Sequence, residues 1–323
     1  MYHIYYTLFA SFAASLFLPA TAAPVNSRNV TAPNGGDISI LNYALTLEFL
    51  ERRFYTEGLQ NFTAQDFHNA GFSPDFYEQM KTVLRDEQTH VDFLAGALGP
   101  KAIQEPTFSF PVKDVHSFIG LSSVLEGVGT SAYLGAAPAI ADKNYLTAAG
   151  SILAVEARHS SYIRAALGQK PIPNPFDTPL GFNQVFSLAA QFVTGFAPGT
   201  NLPFKAFPPL TATNPTSSPT YHAGQGNVVL TNAFQNAQNA GSVTENTKVF
   251  AVFFSGLQTY HVPAIRSGND YTATVPGADF SKAGQPAPAG QVYLVLSTAD
   301  GGENNTISDE NTISGVAILE VDN

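Results

Sequence analysis

Two short motifs carry the chemistry in this sequence. Arg85-Asp86-Glu87-Gln88-Thr89-His90 sets Glu87 three residues before His90, and Val155-Glu156-Ala157-Arg158-His159 repeats the spacing with Glu156 and His159. Residues at i and i+3 lie on one helix face, so each carboxylate–imidazole pair can reach a common point. Met80, Val83, Leu84, Val91 and Leu94 share the face of the first pair; Ala149, Ile152, Leu153 and Ile163 share that of the second. Both pairs are therefore expected to point into a core. Glu48 keeps the face of Leu41, Leu45 and Tyr55, and Glu126 lies among Ile119, Leu125, Val128 and Tyr133. The chain order is thus Glu, Glu-x-x-His, Glu, Glu-x-x-His.

Isolated carboxylates in a core are costly or stay protonated. Two divalent cations neutralise four of them, and imidazole with carboxylate suits Fe or Mn. Bridging carboxylates hold such a pair about 3.5–4 Å apart. A Glu from each of two helices and a Glu-x-x-His from each of two others is the ligand set of di-iron and di-manganese carboxylate bundles. Surface charge, the bland alternative, leaves Glu87 among apolar neighbours without a reason.

The elements that must position these residues are legible as helices. Asp37 reads as the cap of a helix running to about Gly58, and 63–70 as a short helix stopped by Gly71. Ser73-Pro74 opens a second long helix that stops at Gly99-Pro100. Residues 100–112 show no helical period and read as a crossover. A third helix is expected over about 113–135, and a fourth, capped by Asp142, over about 143–167. A shorter fifth is expected at 181–194. One long link between the second and third long helices is the layout of a bundle with a crossover. After Gly199, alternating β-branched and aromatic runs predict strands at 227–231, 248–255, 259–265, 271–275, 291–297 and 314–321, and hence a β-sandwich.

Composition narrows the classes further. The 323 residues include no Cys, with 15 Lys+Arg against 25 Asp+Glu and a net charge of −10. The acidic balance argues against a nucleic-acid or anionic-membrane surface. Without Cys there are no disulfides, thiolate nucleophiles or Cys-ligated metals. An apolar run from Ile4 to Leu18 followed by Ala20-Thr21-Ala22 reads as a secretory signal peptide over residues 1–22, with no membrane span after its removal. Asn29, Asn61 and Asn304 stand in Asn-x-Ser/Thr acceptor sequences and agree with a secreted, glycosylated protein, extracellular or in the cell wall.

The stretches Leu41-Asn42-Tyr43-Ala44-Leu45-Thr46-Leu47-Glu48-Phe49-Leu50-Glu51 and Asp86-Glu87-Gln88-Thr89-His90 resemble the ferritin-like superfamily. They are most similar to secreted fungal ferritin-like proteins of the late sexual development and stress-response type, akin to plant desiccation-related proteins. The resemblance implies an α+β chain of several domains: a ferritin-like four-helix bundle over 37–197, followed by an all-β sandwich-like domain over 203–323. It implies two Fe or Mn ions, with Glu87 and Glu156 bridging them. Glu48 and His90 complete one ion's shell, and Glu126 and His159 the other's. Tyr55 and Tyr133 stand seven residues after Glu48 and Glu126, where such proteins often keep a redox-active tyrosine, so Tyr55 is the candidate for electron transfer.

Four details sit beside that pattern. Asp86 could orient a ligand histidine, although its counterpart is Val155. Glu51 competes with Glu48 for the first ligand position, but Arg52 and Arg53 beside it indicate a surface face. Gly127 and Gly129 flank Glu126 in mid-helix, where each costs about 1 kcal/mol against Ala. His68, His116, His222 and His261 have no partner at metal spacing.

The function implied is an oxidase, ferroxidase or peroxide-handling role toward O2 or peroxide, in stress or development. The rival reading is a non-enzymatic stress, developmental or cell-wall protein. Its bundle would be a scaffold, and its β-domain would bind a protein or glycan partner through exposed aromatics such as Tyr260 or Tyr271. A third reading has the metal only holding the bundle together.

Overall fold

The computed structural model describes residues 31–323. The expected leader at 1–22 and the acceptor Asn29 lie outside the described residues. The helical region runs α1 (Asp37–Asn61), α2 (Ala64–Asn69), α3 (Pro74–Leu98), α4 (Val115–Ala136), α5 (Lys143–Ala166) and α6 (Phe182–Ala189). Short side chains set the starts of these helices. Thr63 forms a capping box with Asp66, Ser73 accepts from the Phe76 N–H ahead of Pro74, and Asp114 forms a box with Ser117. Asp142 accepts from the Asn144 N–H to start α5. Asp37 departs from its expected role: Gly36 occupies the cap, and the Asp37 carboxylate instead accepts from the backbone of Ala141 and Asp142. It therefore ties the start of α1 to the start of α5. The helix expected over 181–194 is α6, which is shorter and ends at Ala189.

The long helices α1, α3, α4 and α5 form the bundle, with α1 packed along α3 and α4 along α5. The crossover between α3 and α4 contains β1 (Thr107–Phe108), which pairs antiparallel with β2 (Val193–Gly195). The rest of the chain is β3 (Thr211–Thr213), β4 (Tyr221–His222), β5 (Asn227–Thr231), α7 (Ala233–Asn239), β6 (Phe250–Ser255), β7 (Gln258–Pro263), β8 (Ile265–Ser267), β9 (Asp270–Thr274), β10 (Gly290–Ser297) and β11 (Ala317–Asp322). A five-stranded sheet in the order β4-β11-β10-β6-β7 faces a four-stranded sheet in the order β3-β5-β9-β8. The expected α+β layout of a helical bundle followed by a sandwich is present.

The two regions are not beads on a string. Ala251, Phe253, Val292 and Leu294 of the larger sheet share a core with Val228, Leu230 and Ala273 of the smaller one. The opposite face of the same strands, through Val252, Phe254, Tyr293 and Val295, enters the bundle's core beside Leu50, Val128 and Leu188. A sheet covered on both faces reads as continuous apolar runs. Phe250-Ala251-Val252-Phe253-Phe254 and Val292-Tyr293-Leu294-Val295-Leu296 are such runs. The bidentate pair of Arg164 on α5 with Glu320 on β11 (2.6 and 2.9 Å) closes the same junction. Among the described residues no helix is long and apolar enough to cross a membrane.

Candidate metal centre

The bundle brings the six residues of the Glu, Glu-x-x-His, Glu, Glu-x-x-His series to one place. Glu48, Glu87, Glu126 and Glu156 are 0% exposed, and His90 and His159 are 8% exposed. His90 Nδ1 lies 3.2 Å from Glu48 Oε2, 3.1 Å from Glu87 Oε2 and 3.5 Å from Glu156 Oε1. His159 Nδ1 lies 3.1 Å from Glu126 Oε2 and 3.2 Å from Glu87 Oε1. Two overlapping groups result, each with its ligand atoms within 4.8 Å of one another: Glu48, Glu87, His90 and Glu156, and then Glu87, Glu126, Glu156 and His159. Glu87 and Glu156 belong to both. Each oxygen of Glu156 is buried without a hydrogen-bond partner, as is Oε1 of Glu87. Buried acceptors left unsatisfied are costly. A divalent cation in each group would supply what those oxygens lack, so the donor set fits two ions.

The tyrosines are wired crosswise. Tyr55, on the helix of Glu48, donates its hydroxyl hydrogen bond to Glu126, and Tyr133, on the helix of Glu126, donates to Glu48. Each carboxylate is thus held from the opposite helix. Asp86 Oδ2 lies 3.3 Å from His159 Nε2, which leaves Nδ1 facing the carboxylates. Asp86 therefore reaches the histidine of α5 and not its own neighbour in sequence, which is why comparison with Val155 says nothing about it.

Glu51 corrects the sequence reading. It is 3% exposed and turned inward, while Arg52 and Arg53 turn away to pair with Glu105 of the crossover. Adjacent helical residues point about 100° apart, so charged neighbours in sequence do not define a face. The i+3 step from Glu48 was the available signal. Gly129 explains the inward room: a β-carbon there would lie 2.8 Å from Glu156 Oε2 and 3.0 Å from Glu51 Oε1. At Gly127 a β-carbon would meet the Gln291 side chain of β10 at 2.6 Å. One glycine makes space for carboxylates, and the other for the sheet.

Tyr260 and Tyr271, offered as exposed aromatics, are buried in the sandwich core, and the Tyr260 hydroxyl donates to Pro286 O at 2.6 Å. They are not available to a partner. Asn61 ends α1 and Asn304 lies in the loop before β11; both are exposed. Among the described residues, His68, His116, His222 and His261 join no metal-binding group.

Electrostatics follow from dry acids packed together. Burial pushes Glu48 up to about 7, and raises Glu126, Glu156 and Glu51 as well, with Glu87 repelling each of them. Burial also works against ionised Glu87, but the imidazoles of His159 and His90 beside it outweigh that and hold Glu87 at about 2. Burial opposes charge on the imidazoles too, yet their carboxylate partners raise His90 to about 10 and His159 to about 11. Without metal, protons do the neutralising, and a metal ion must displace them.

Comparison with known proteins agrees with this architecture. Residues 36–169 match the family described as ferritin-like domain. The chain is also similar to Protein rds1 of Schizosaccharomyces pombe, 25% identical over 221 residues. That match covers 66% of this chain and 55% of the relative, so the chain spans little more than half of that protein's length.

Proposed function

From the match of residues 36–169 to the ferritin-like domain family, we propose that the bundle holds a carboxylate-bridged pair of Fe or Mn ions and acts as an oxidase, a ferroxidase or a peroxide-consuming enzyme. The observation that carries this reading is the sharing of Glu87 and Glu156 by two four-residue groups, with both Glu156 oxygens unpartnered. Glu87 and Glu156, common to both groups, would hold both ions; Glu48 and His90 would complete the donors for one, and Glu126 and His159 those for the other. When bound, such a pair supplies electrons to O2 or peroxide. The protein's own part is positional and protonic. Tyr133 and Tyr55 fix the outer carboxylates through their hydroxyl hydrogen bonds, and Asp86 fixes the face that His159 presents. Tyr55, whose hydroxyl donates to Glu126, takes the role of passing an electron in this reading; the hydrogen bond supports it by linking the phenol to the cluster. The surrounding apolar side chains exclude bulk water.

The reading includes export after cleavage near residue 22, and glycans at Asn29, Asn61 and Asn304. The last two are supported by their exposure. The test is oxygen or peroxide consumption, with Fe(II) supplied in excess as the electron donor, by protein purified without chelators, compared with Glu156→Gln. The wild-type protein is expected to turn over. The variant should keep its helical circular dichroism and lose both metal and turnover. Equal turnover in the two rejects the proposal. A wild type that binds two ions, is stabilised by them and never turns over leaves the metal a structural role only.

A further inference from the structure

A cavity of about 290 Å³ lies where the bundle meets the β-region, between α1, α4, α6, β3 and β11. Its walls are mostly apolar, formed by Leu47, Val128, Leu188, Phe192, Leu210 and Val316 among others. Exposed Gln191 and Thr211 stand at its rim. Its floor is Glu51 and Gly129. Gly129 is also where the missing β-carbon leaves Glu156 Oε2 and Glu51 Oε1 each about 3 Å away (2.8 and 3.0 Å). The cavity therefore ends against the carboxylate cluster with no side chain at residue 129 between them.

Glu51 is the unusual element. It is nine-tenths buried or more, stands outside both metal-binding groups, and has no hydrogen-bond partner among the described residues. An apolar chamber with one unpartnered carboxylate has the make-up of a small-molecule site, in which shape supplies affinity and a single polar group supplies orientation. Its position between two packed regions is also where such sites concentrate. A donor on the ligand gives that cavity-lining carboxyl a hydrogen-bond partner.

We propose that this cavity binds an organic molecule of about single-ring size, with an apolar body and one hydroxyl or amino donor, placed so that the donor meets Glu51. The molecule is thereby held beside the cluster through the gap at Gly129. This rests on reading the cluster as the reactive centre, for which it supplies the substrate class.

The probe is phenol, with benzene as the partner that lacks the donor. Both are titrated into the full chain by calorimetry and by saturation-transfer NMR, with metal content measured on the same samples. Wild type should bind phenol saturably at one site per chain. Ala189→Phe, which fills the cavity wall, should abolish binding of both. Ala212→Phe at the half-buried rim should do the same if the first variant does not fold. Glu51→Leu should weaken phenol by about tenfold, the loss expected for a hydrogen bond to a buried acceptor, and leave benzene unchanged. Absence of saturable phenol binding to wild type overturns the proposal. So does phenol affinity unaffected by a folded cavity-filling variant, or an equal loss of phenol and benzene in Glu51→Leu. Two ions per chain without phenol binding rejects the cavity and spares the metal reading. Phenol binding with the expected variant pattern but no ions supports the cavity site and rejects the metal reading.

Discussion

A carboxylate with no exposure and neither oxygen hydrogen-bonded, as Glu156 has, is stable only if a proton or a cation sits on it. That choice has a pH signature. A group whose folded pKa is raised gives stability that is complete below its ordinary value and is lost as pH climbs through the raised one. Glu48 is raised from 4.5 to about 7, and Glu126, Glu156 and Glu51 move in the same direction. His90 and His159 are raised from 6.5 to about 10 and about 11. Glu87, lowered to about 2, acts oppositely, and its contribution is lost only as pH falls below 4.5. The chelated protein should therefore lose melting temperature steadily from about pH 6 to pH 9. The metal-loaded protein should not, because cations have replaced those protons. Calorimetry of the two forms checks this. A chelated protein whose melting temperature is flat or rises over that window contradicts the assignment of protons.

At the scale of elements, the glycines of the bundle separate two cases. Gly150 on α5 is exposed, with open space where a β-carbon would sit. Gly150→Ala should raise stability by about 0.5–1 kcal/mol through helix propensity. Gly135 on α4 sits against the backbone of Leu180, whose carbonyl oxygen would be 1.8 Å from a β-carbon. The same propensity gain applies there, but overpacking of about 1–3 kcal/mol or more outweighs it, so Gly135→Ala should destabilise. Denaturant midpoints of the two variants should move in opposite directions; a shared sign would show that α4 does not approach Leu180 so closely.

The elements also show what a single sequence can and cannot reveal. Ser73, Asp114 and Asp142 sit where capping chemistry places them because the cap is local. Asp37 has the same chemistry and spends it across the bundle on Ala141 and Asp142, which local spacing cannot register. The inward Glu-x-x-His pairs were legible because an acidic residue within an apolar stripe needs a reason. Glu51 was passed over because Arg52 and Arg53 beside it outweighed its i+3 step from Glu48, and the packing of α4 at Gly129 shows that the step was the better guide. The cross-helix bonds of Tyr55 and Tyr133 also depend on the relation between α1 and α4, which no intrahelical period encodes.

For the whole molecule, the decisive feature is the sheet shared by two cores. Phe250–Ser255 and Gly290–Ser297 were readable as strands. Burial of both faces along residues 251–255 and 292–297 means that the β-region is a wall of the bundle as much as a domain of its own. Arg164 is almost fully buried, and its guanidinium forms two bonds to Glu320 across that wall. Removing one partner leaves a buried charge alone, which typically costs about 3–5 kcal/mol. Glu320→Ala should therefore lower stability by that order and make the helical and β regions unfold in separate transitions. Glu320→Ala combined with Arg164→Met should recover much of the loss. Scanning calorimetry reads both, and a neutral Glu320→Ala would show that apolar contact alone holds the junction.

The central claim is that four helices converge on a pair of ions bridged by Glu87 and Glu156. Anomalous diffraction at the Fe and Mn absorption edges, on crystals of protein purified without chelators, tests it directly. The account predicts two peaks about 3.5–4 Å apart, one against Glu48 and His90 and the other against Glu126 and His159, with Glu87 and Glu156 touching both. A single ion, ions bound elsewhere, or none at the cluster would contradict it.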